Sequence, residues 1–145
     1  MDDNEKRGRE AAISGFAHEH IAVGILMKHY GNVSLVDLPL SPYDIVIVLK
    51  REHGEEIIRV QVKTAKVNIS FTGGTRGGVD RIYKSGVKTY TQSTKTCDVV
   101  IGLHPHNGSF DLYIIPTILI ERLNQNSISL NKIAALKNNY EMLDR

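Results

Sequence analysis

A carboxylate, an amide and an amine are spaced in this sequence so that two neighbouring strands would bring them together. Asp44 stands directly before the apolar stretch 45–49, and Gln61 and Lys63 alternate with apolar residues on the next predicted strand. A hairpin between the two strands would place Asp44 across from Val62 or Lys63. Carboxylate and amide oxygens are ligands that hard cations prefer, and an ammonium group neutralises negative charge. The three side chains are therefore predicted to converge at one end of the hairpin.

A fourth candidate, Glu19, lies on the apolar face predicted for the first helix. It is separated by three, four or seven positions from the apolar residues of that face, which are Ala12, Phe16, Val23 and Leu26. Burying a carboxylate against a sheet costs free energy unless a cation or hydrogen bonds compensate. Lys63 or a metal ion would supply that compensation.

Apolar periodicity and turn residues predict an α/β fold with a sheet of about five strands. A helix is predicted over residues 5–30, with Gly31 as its stop signal. Strands are predicted over residues 33–38, 44–50, 56–64, 98–103 and 110–115, turns at His53–Gly54 and Asn107–Gly108, and helices over 116–125 and 129–143. Because residues 45–49 are apolar on both faces, their strand is expected to be central in the sheet.

The composition favours one soluble domain spanning residues 1–145. Hydrophobic residues make up 41% and charged residues 23% of the 145 residues, as in ordinary globular proteins. Cys97 is the one cysteine, so the sequence contains no pair for an internal disulfide, and we expect the thiol to serve packing. The charged N-terminus does not resemble a signal peptide, and no apolar run reaches the roughly 20 residues that span a bilayer. A cytoplasmic location is expected.

The net charge of +2 hides a local excess of positive charge in a glycine-rich segment, residues 64–95. Six cations and one acid, Asp80, give this segment a local charge of 6 − 1 = +5. The cations are Lys66, Arg76, Arg81, Lys84, Lys88 and Lys95, and Tyr83 and Tyr90 lie among them. Cationic side chains attract phosphates and aromatic rings stack on bases, so all of these residues except Lys95 are predicted to contact DNA. A solvated basic loop is the alternative.

Asp44, the apolar strand after it and the triplet Gln61-Val62-Lys63 resemble the motif of the PD-(D/E)XK nuclease superfamily. Glu19 on the preceding helix is similar to the helical glutamate of archaeal Holliday-junction resolvases. Residues 90–116 are similar to group I intron-encoded endonucleases of this superfamily, which also tolerate glutamine in the triplet. The resemblance implies a restriction-endonuclease-like fold with an αβββαβ core.

The resemblance also implies a function, a metal-dependent endonuclease that hydrolyses DNA phosphodiester bonds. Its cofactor would be Mg²⁺, for which Mn²⁺ could substitute, held by Asp44, Gln61, Glu19 and the carbonyl oxygen of Val62. Lys63 would position the attacking water or stabilise charge on the phosphate. By analogy with resolvases and restriction enzymes, a homodimer is expected, and the DNA substrate could be structure-specific.

Other interpretations of the sequence stay open. Gln61 replaces an acid of the motif and removes one negative charge, which favours a nucleic-acid-binding protein with weakened catalysis as the alternative. A small α/β scaffold or regulatory protein without a nucleic-acid role is a further possibility. His104 and His106 flank a proline in the predicted hairpin turn, where we expect them to be exposed without binding a metal.

Overall fold

A long helix opens the fold in this computed structural model, which describes residues 2–74 and 89–144. Helix α1 covers Asp3–Tyr30. It begins at Asp2, whose side chain accepts a hydrogen bond of 2.8 Å from the amide of Glu5. It ends at Gly31, which has a φ of 80° and is favoured there because glycine has no Cβ. The predicted helix and its stop are confirmed.

The protein has an α/β fold built on a mixed five-stranded sheet, as predicted. The described strands are β1 (Val33–Leu35), β2 (Ile45–Arg51), β3 (Gly54–Thr64), β4 (Asn68–Ser70), β5 (Thr72–Gly74), β6 (Thr89–Thr91), β7 (Val99–His106), β8 (Ser109–Pro116) and β9 (Ser127–Ser129). The main sheet has the order β1-β2-β3-β7-β8, in which β3 and β7 are parallel and the other neighbours antiparallel. Two small antiparallel pairs, β4–β9 and β5–β6, accompany it.

Both hairpins of the main sheet have two-residue turns. The β7–β8 turn is Asn107–Gly108, with φ of 46° and 76°, as expected for an Asn-Gly turn. In the β2–β3 hairpin, Arg51 pairs with Gly54, so the turn lies one residue earlier than predicted. Continuing that register places Asp44 across from Gln61 instead of Val62 or Lys63, because a shift of the turn shifts every pair.

Each face of the sheet covers a hydrophobic cluster, and β7 contributes to both. Its first five residues, 99–103, are all buried. In β2, by contrast, Val46 and Val48 are only half-buried. The strands enclosed on both sides are therefore β7 and β8, and β3 has the middle place in the sheet order. The prediction that residues 45–49 form the central strand is wrong. The second face is covered mainly over β7 and β8, where helix α2 (Thr117–Leu123) and residues 128–136 pack.

Only the C-terminal half of α1 packs on the sheet. Ala22 and Leu26 are fully buried there, whereas Ala12 is exposed and Phe16 retains 61% of its accessible surface. The expected apolar face therefore ends sooner than predicted. The reason is that the helix extends beyond the sheet. His18 contacts Thr64, the last residue of β3, so the helical turns before His18 lie past the end of that strand.

The chain after α2 forms short pieces in place of the helix predicted over residues 129–143. Two 3₁₀ helices, Leu130–Leu136 and Tyr140–Leu143, follow β9. Between them, Asn138 has a φ of 53° and exchanges hydrogen bonds with the backbone of Leu112 in β8, which interrupts the helical path. Helix α2 also ends before the predicted residue 125, with Asn124 in the left-handed conformation at its C-terminus.

The connection between β3 and β7 differs from the expected core order in its described parts. Residues 65–74 and 89–98 contain β4, β5 and β6, and no helix. An αβββαβ core would have a helix at this position. Among the helices in the described ranges, none is long and apolar enough to cross a membrane.

Gly102 of β7 offers a test of packing in the hydrophobic cluster on the face of the sheet opposite α1. A Cβ at this position would lie 2.7 Å from Cδ1 of the fully buried Ile69. Gly102→Ala is therefore expected to lower the free energy of unfolding by about 1–3 kcal/mol in urea denaturation. Gly24 in α1 has no atom within 4 Å of such a Cβ.

The matched control, Gly24→Ala, should stabilise the protein by about 0.5–1 kcal/mol, because alanine favours the helix more than glycine does. Equal effects of the same sign in the two variants would contradict the packing described for Gly102.

Candidate active site

Asp44 is fixed at the point where the β2–β3 ladder ends. Its amide donates a hydrogen bond of 2.9 Å to the carbonyl of Val60, and its carbonyl accepts one of 2.9 Å from the amide of Val36. The backbone is thus held by β3 and by the residue that directly follows β1. Its carboxylate oxygen Oδ2 lies 3.3 Å from the amide nitrogen of Val62 and accepts a hydrogen bond from it. The carboxylate therefore reaches across the end of the ladder into the Gln61–Lys63 segment.

The backbone direction of β3 brings a second oxygen toward Asp44. The amide and carbonyl of one strand residue point to the same side of the strand. Since the amide of Val62 donates to the Asp44 carboxylate, the carbonyl of Val62 also points to the β2 side. This end of the hairpin therefore presents a carboxylate and a backbone carbonyl, both of which are ligands for a hard cation.

Gln61 and Lys63 project together to the face of the sheet opposite α1. Both are half-buried, and they alternate with the buried residues Val60 and Val62. The predicted alternation is confirmed. Ile45 and Val60 form the last pair of the ladder, so Asp44 and Gln61 are the residues directly beyond it on its two sides.

Lys63 is held in place by the β5–β6 ribbon. Its ammonium nitrogen Nζ donates a hydrogen bond of 2.9 Å to the carbonyl of Thr72 at the start of β5. The next residue, Gly73, pairs with Tyr90, and a Cβ on Gly73 would come within 2.8 Å of the tyrosine ring. The absence of a side chain at Gly73 therefore lets Tyr90 pack close to the backbone that positions the lysine.

Glu19 reaches the same end of the sheet from the side of α1. It is half-buried and precedes the buried Ala22 by three positions and Leu26 by seven, so it lies on the face of the helix that meets the sheet. The adjacent His18 forms a hydrogen bond of 2.7 Å between Nδ1 and the hydroxyl of Thr64, which directly follows Lys63 in the chain. The part of α1 that carries Glu19 is thereby attached to the end of β3.

The Arg59–Asp98 brace, an ion pair with supporting hydrogen bonds, joins β3 to the residues before β7. The sequence predictions did not include it. The guanidinium of Arg59 forms a salt bridge of 3.1 Å with Asp98, and the same carboxylate accepts a hydrogen bond from the amide of Arg59. The side-chain hydrogen bond to Asp98 raises the pKa of Arg59. The guanidinium also lies 5.9 Å from the ring centre of Tyr43, the residue before Asp44. Strand alternation puts Arg59 on the same face of β3 as Gln61, and this pattern was the sequence signal that could have pointed to a role for Arg59 near the site.

Cys97 is fully buried beside this brace, as expected for a packing residue. Burial raises the pKa of its thiol to about 11. The thiol therefore stays protonated near neutral pH, where a nucleophilic cysteine needs the thiolate form. This cysteine is a part of the core.

The basic residues predicted to contact DNA are only partly described. Lys66 is exposed in the loop that follows β3, and Tyr90 is half-buried in β6. Arg76, Arg81, Tyr83, Lys84 and Lys88 lie outside the described residues. Lys66 follows Lys63 by three positions, so one exposed cation lies near the end of the strand that carries the candidate site.

The donor set at this end of the sheet is oxygen-based. In the part of the chain that the structure describes, no three His, Cys, Asp or Glu side chains are grouped as a metal site. A cation here would instead combine Asp44 with neutral oxygens from Gln61 and Val62. Glu19 lies at the same end of the sheet but approaches from the α1 face, whereas Gln61 projects to the opposite face. A set of carboxylate, amide and carbonyl oxygens fits a hard divalent cation such as Mg²⁺ better than a thiophilic metal.

Comparisons with known proteins found no match for this chain. No protein-family model, no curated protein and no solved structure matches the chain. The side chains at the end of the β2–β3 hairpin are therefore the basis for a functional assignment.

Proposed function

We propose that this protein is a metal-dependent endonuclease that hydrolyses DNA phosphodiester bonds, with Asp44, Gln61, Lys63 and Glu19 as its catalytic residues. The observation that carries the proposal is the hydrogen bond of 3.3 Å between the Asp44 carboxylate and the amide of Val62. It fixes an acid against the middle residue of a Gln-Val-Lys triplet. This is the juxtaposition that the resemblance to PD-(D/E)XK nucleases requires.

The order of elements supports a restriction-endonuclease-like core. Helix α1 is followed by the antiparallel strands β1, β2 and β3, and the next strand of the main sheet, β7, is parallel to β3. The candidate residues lie at the end of β3 that such a core would use. In the described parts of the connection between β3 and β7, short strands stand where such a core would have a helix.

Mg²⁺ is the cofactor proposed for this site, with Mn²⁺ as a substitute. Asp44, Gln61, Glu19 and the Val62 carbonyl would hold the ion, because all four offer oxygen atoms. When bound, the ion would neutralise the scissile phosphate and lower the pKa of a water molecule. The position of Asp44 is set by three backbone hydrogen-bonding partners, so its orientation does not depend on the ion.

Lys63 has the role of holding positive charge beside the reacting phosphate. The hydrogen bond to the Thr72 carbonyl fixes the ammonium group at this end of β3, where its positive charge would stabilise a phosphate oxygen or orient the attacking water. Because the ribbon that carries Thr72 also carries Tyr90, DNA bound at this face would meet both side chains. Lys66 would contact the phosphate backbone nearby, together with Arg76, Arg81, Tyr83, Lys84 and Lys88.

A homodimer is part of the proposal, because cutting both strands of DNA calls for two sites. A substrate with branched structure, as for junction resolvases, fits the same analogy.

Cleavage of supercoiled plasmid and of a synthetic four-way junction tests the proposal. The purified protein should convert both substrates in the presence of Mg²⁺ or Mn²⁺, and EDTA should stop the reaction. Absence of cleavage with either metal over a range of pH would contradict nuclease activity.

The second candidate function is binding of DNA without cleavage, and Gln61 is the observation that favours it. With an amide in place of an acid, the cluster holds one negative charge fewer for a cation. Retention of DNA at low salt that weakens as salt rises, without cleavage, would support this candidate. Failure to retain either DNA or RNA would contradict both candidates and favour a scaffold role.

A further inference from the structure

Two histidines at the end of β7 share one face of the β7–β8 hairpin. His104 and His106 are two positions apart on the strand, so their side chains project to the same side. The sequence suggested exposed residues within a turn, but both belong to the strand, and His104 is half-buried. Their ring centres are 6.1 Å apart.

The tautomer of His104 is set by a backbone carbonyl. Its Nδ1 lies 2.9 Å from the carbonyl oxygen of Ala65. Because a carbonyl oxygen only accepts hydrogen bonds, Nδ1 carries the proton, and in the neutral ring Nε2 carries the lone pair. A histidine that binds metal through one nitrogen commonly donates its other N–H to a carbonyl or carboxylate in this way. The edge of the ring also contacts Tyr113, with ring centres 6.5 Å apart, which restrains its orientation.

His106 is the adaptable member of the pair. It is exposed, and its Nε2 lies 3.5 Å from the side-chain nitrogen of the turn residue Asn107. Two imidazoles that bind one ion at about 2.0–2.1 Å have ring centres roughly 5–6.5 Å apart. The observed rings are stacked with an interplanar angle of 24° and centres 6.1 Å apart, so binding one tetrahedral ion requires a change in the side-chain torsions of the exposed His106 that brings the centres to about 5 Å.

A carboxylate adds negative potential beside the two rings. Asp111 lies directly across from His104 in the β7–β8 register, which puts both side chains on the same face. One of its oxygens, Oδ1, accepts a hydrogen bond of 3.0 Å from Asn138. The nearby charge favours a cation without requiring Asp111 as a ligand.

We propose that His104 and His106 form a chelating pair for a borderline divalent transition ion such as Zn²⁺, with water or an external ligand completing its coordination. Imidazole nitrogen favours Zn²⁺, Cu²⁺ and Ni²⁺ over Mg²⁺. This pair is therefore distinct in chemistry from the oxygen-based set around Asp44. The proposal does not depend on nuclease activity.

Titration calorimetry of the untagged full chain with Zn²⁺ tests the pair. The wild type should bind one ion that is lost, or held at least tenfold more weakly, in both His104→Asn and His106→Gln. The asparagine keeps a donor for the Ala65 carbonyl, and His106 is exposed, so both variants should fold, which thermal unfolding would verify. His106→Gln alone is sufficient for the test if His104→Asn does not fold.

Two controls separate this site from others. His53→Gln changes an exposed histidine in the β2–β3 turn, and Asp37→Asn changes an exposed acid outside the candidate active site. Both should bind Zn²⁺ like the wild type. Failure of the wild type to bind Zn²⁺, unchanged binding in His106→Gln, or an equal loss in His53→Gln would overturn the proposal.

Discussion

Asp44→Asn is expected to lower the rate of Mg²⁺-dependent DNA cleavage by on the order of 10³-fold. The amide keeps an oxygen that can accept the hydrogen bond from Val62, but it removes the negative charge that a divalent cation needs. The loss should therefore appear in catalysis and leave the fold unchanged. Initial cleavage rates on a fluorescent duplex, with thermal unfolding of both proteins, would measure the effect.

Asp37→Asn is the matched control, because Asp37 is an exposed aspartate in the loop that leads to Asp44. It should cleave DNA within about twofold of the wild type, since surface substitutions away from a site have small effects. A retained rate in Asp44→Asn, or an equal loss in the control, would remove Asp44 from the proposed mechanism.

Gln61→Glu should lower the Mg²⁺ concentration needed for half-maximal cleavage by about tenfold. The substitution keeps the size of the side chain and adds one negative charge at a residue that, like Asp44, lies directly beyond the last pair of the β2–β3 ladder. A tenfold gain corresponds to about 1.4 kcal/mol of binding free energy, a modest share of what an added charge at a half-buried position can supply. Rates measured across a Mg²⁺ titration would show the shift.

An exposed glutamine supplies the control for this substitution. Gln125→Glu makes the same chemical change just after α2, and it should leave the Mg²⁺ requirement unchanged. If Gln61→Glu binds Mg²⁺ no better than the wild type, Gln61 does not face the ion. If it gains cleavage that the wild type lacks, the natural protein is the DNA-binding candidate.

The sequence predicted local structure where local rules determine it. The Asn107–Gly108 turn follows from backbone conformations that few residues adopt, and the end of α1 at Gly31 has the same cause. The alternation of Gln61 and Lys63 with valines followed from the period of a strand. The hydrogen bond between Asp44 and the amide of Val62 needed only the hairpin itself.

Features set by distant contacts were beyond the reach of these rules. The turn between β2 and β3 was misplaced by one residue, because Arg51, Glu52 and His53 are each acceptable near a turn. The helix predicted over residues 129–143 fails because Asn138 bonds to the backbone of β8, which periodicity cannot reveal. The Arg59–Asp98 brace joins residues 39 positions apart, and neither is distinctive alone.

The parallel contact between β3 and β7 has a consequence for how the site is assembled during folding. It joins two hairpins, and forming it means pairing strands that lie far apart in the sequence, with the whole stretch between residues 64 and 99 separating them. Asp44, Gln61, Val62 and Lys63 all lie on one side of that contact, within a single hairpin of low contact order. Three of the four proposed catalytic side chains can therefore reach their relative register before the slow, long-range half of the sheet is in place.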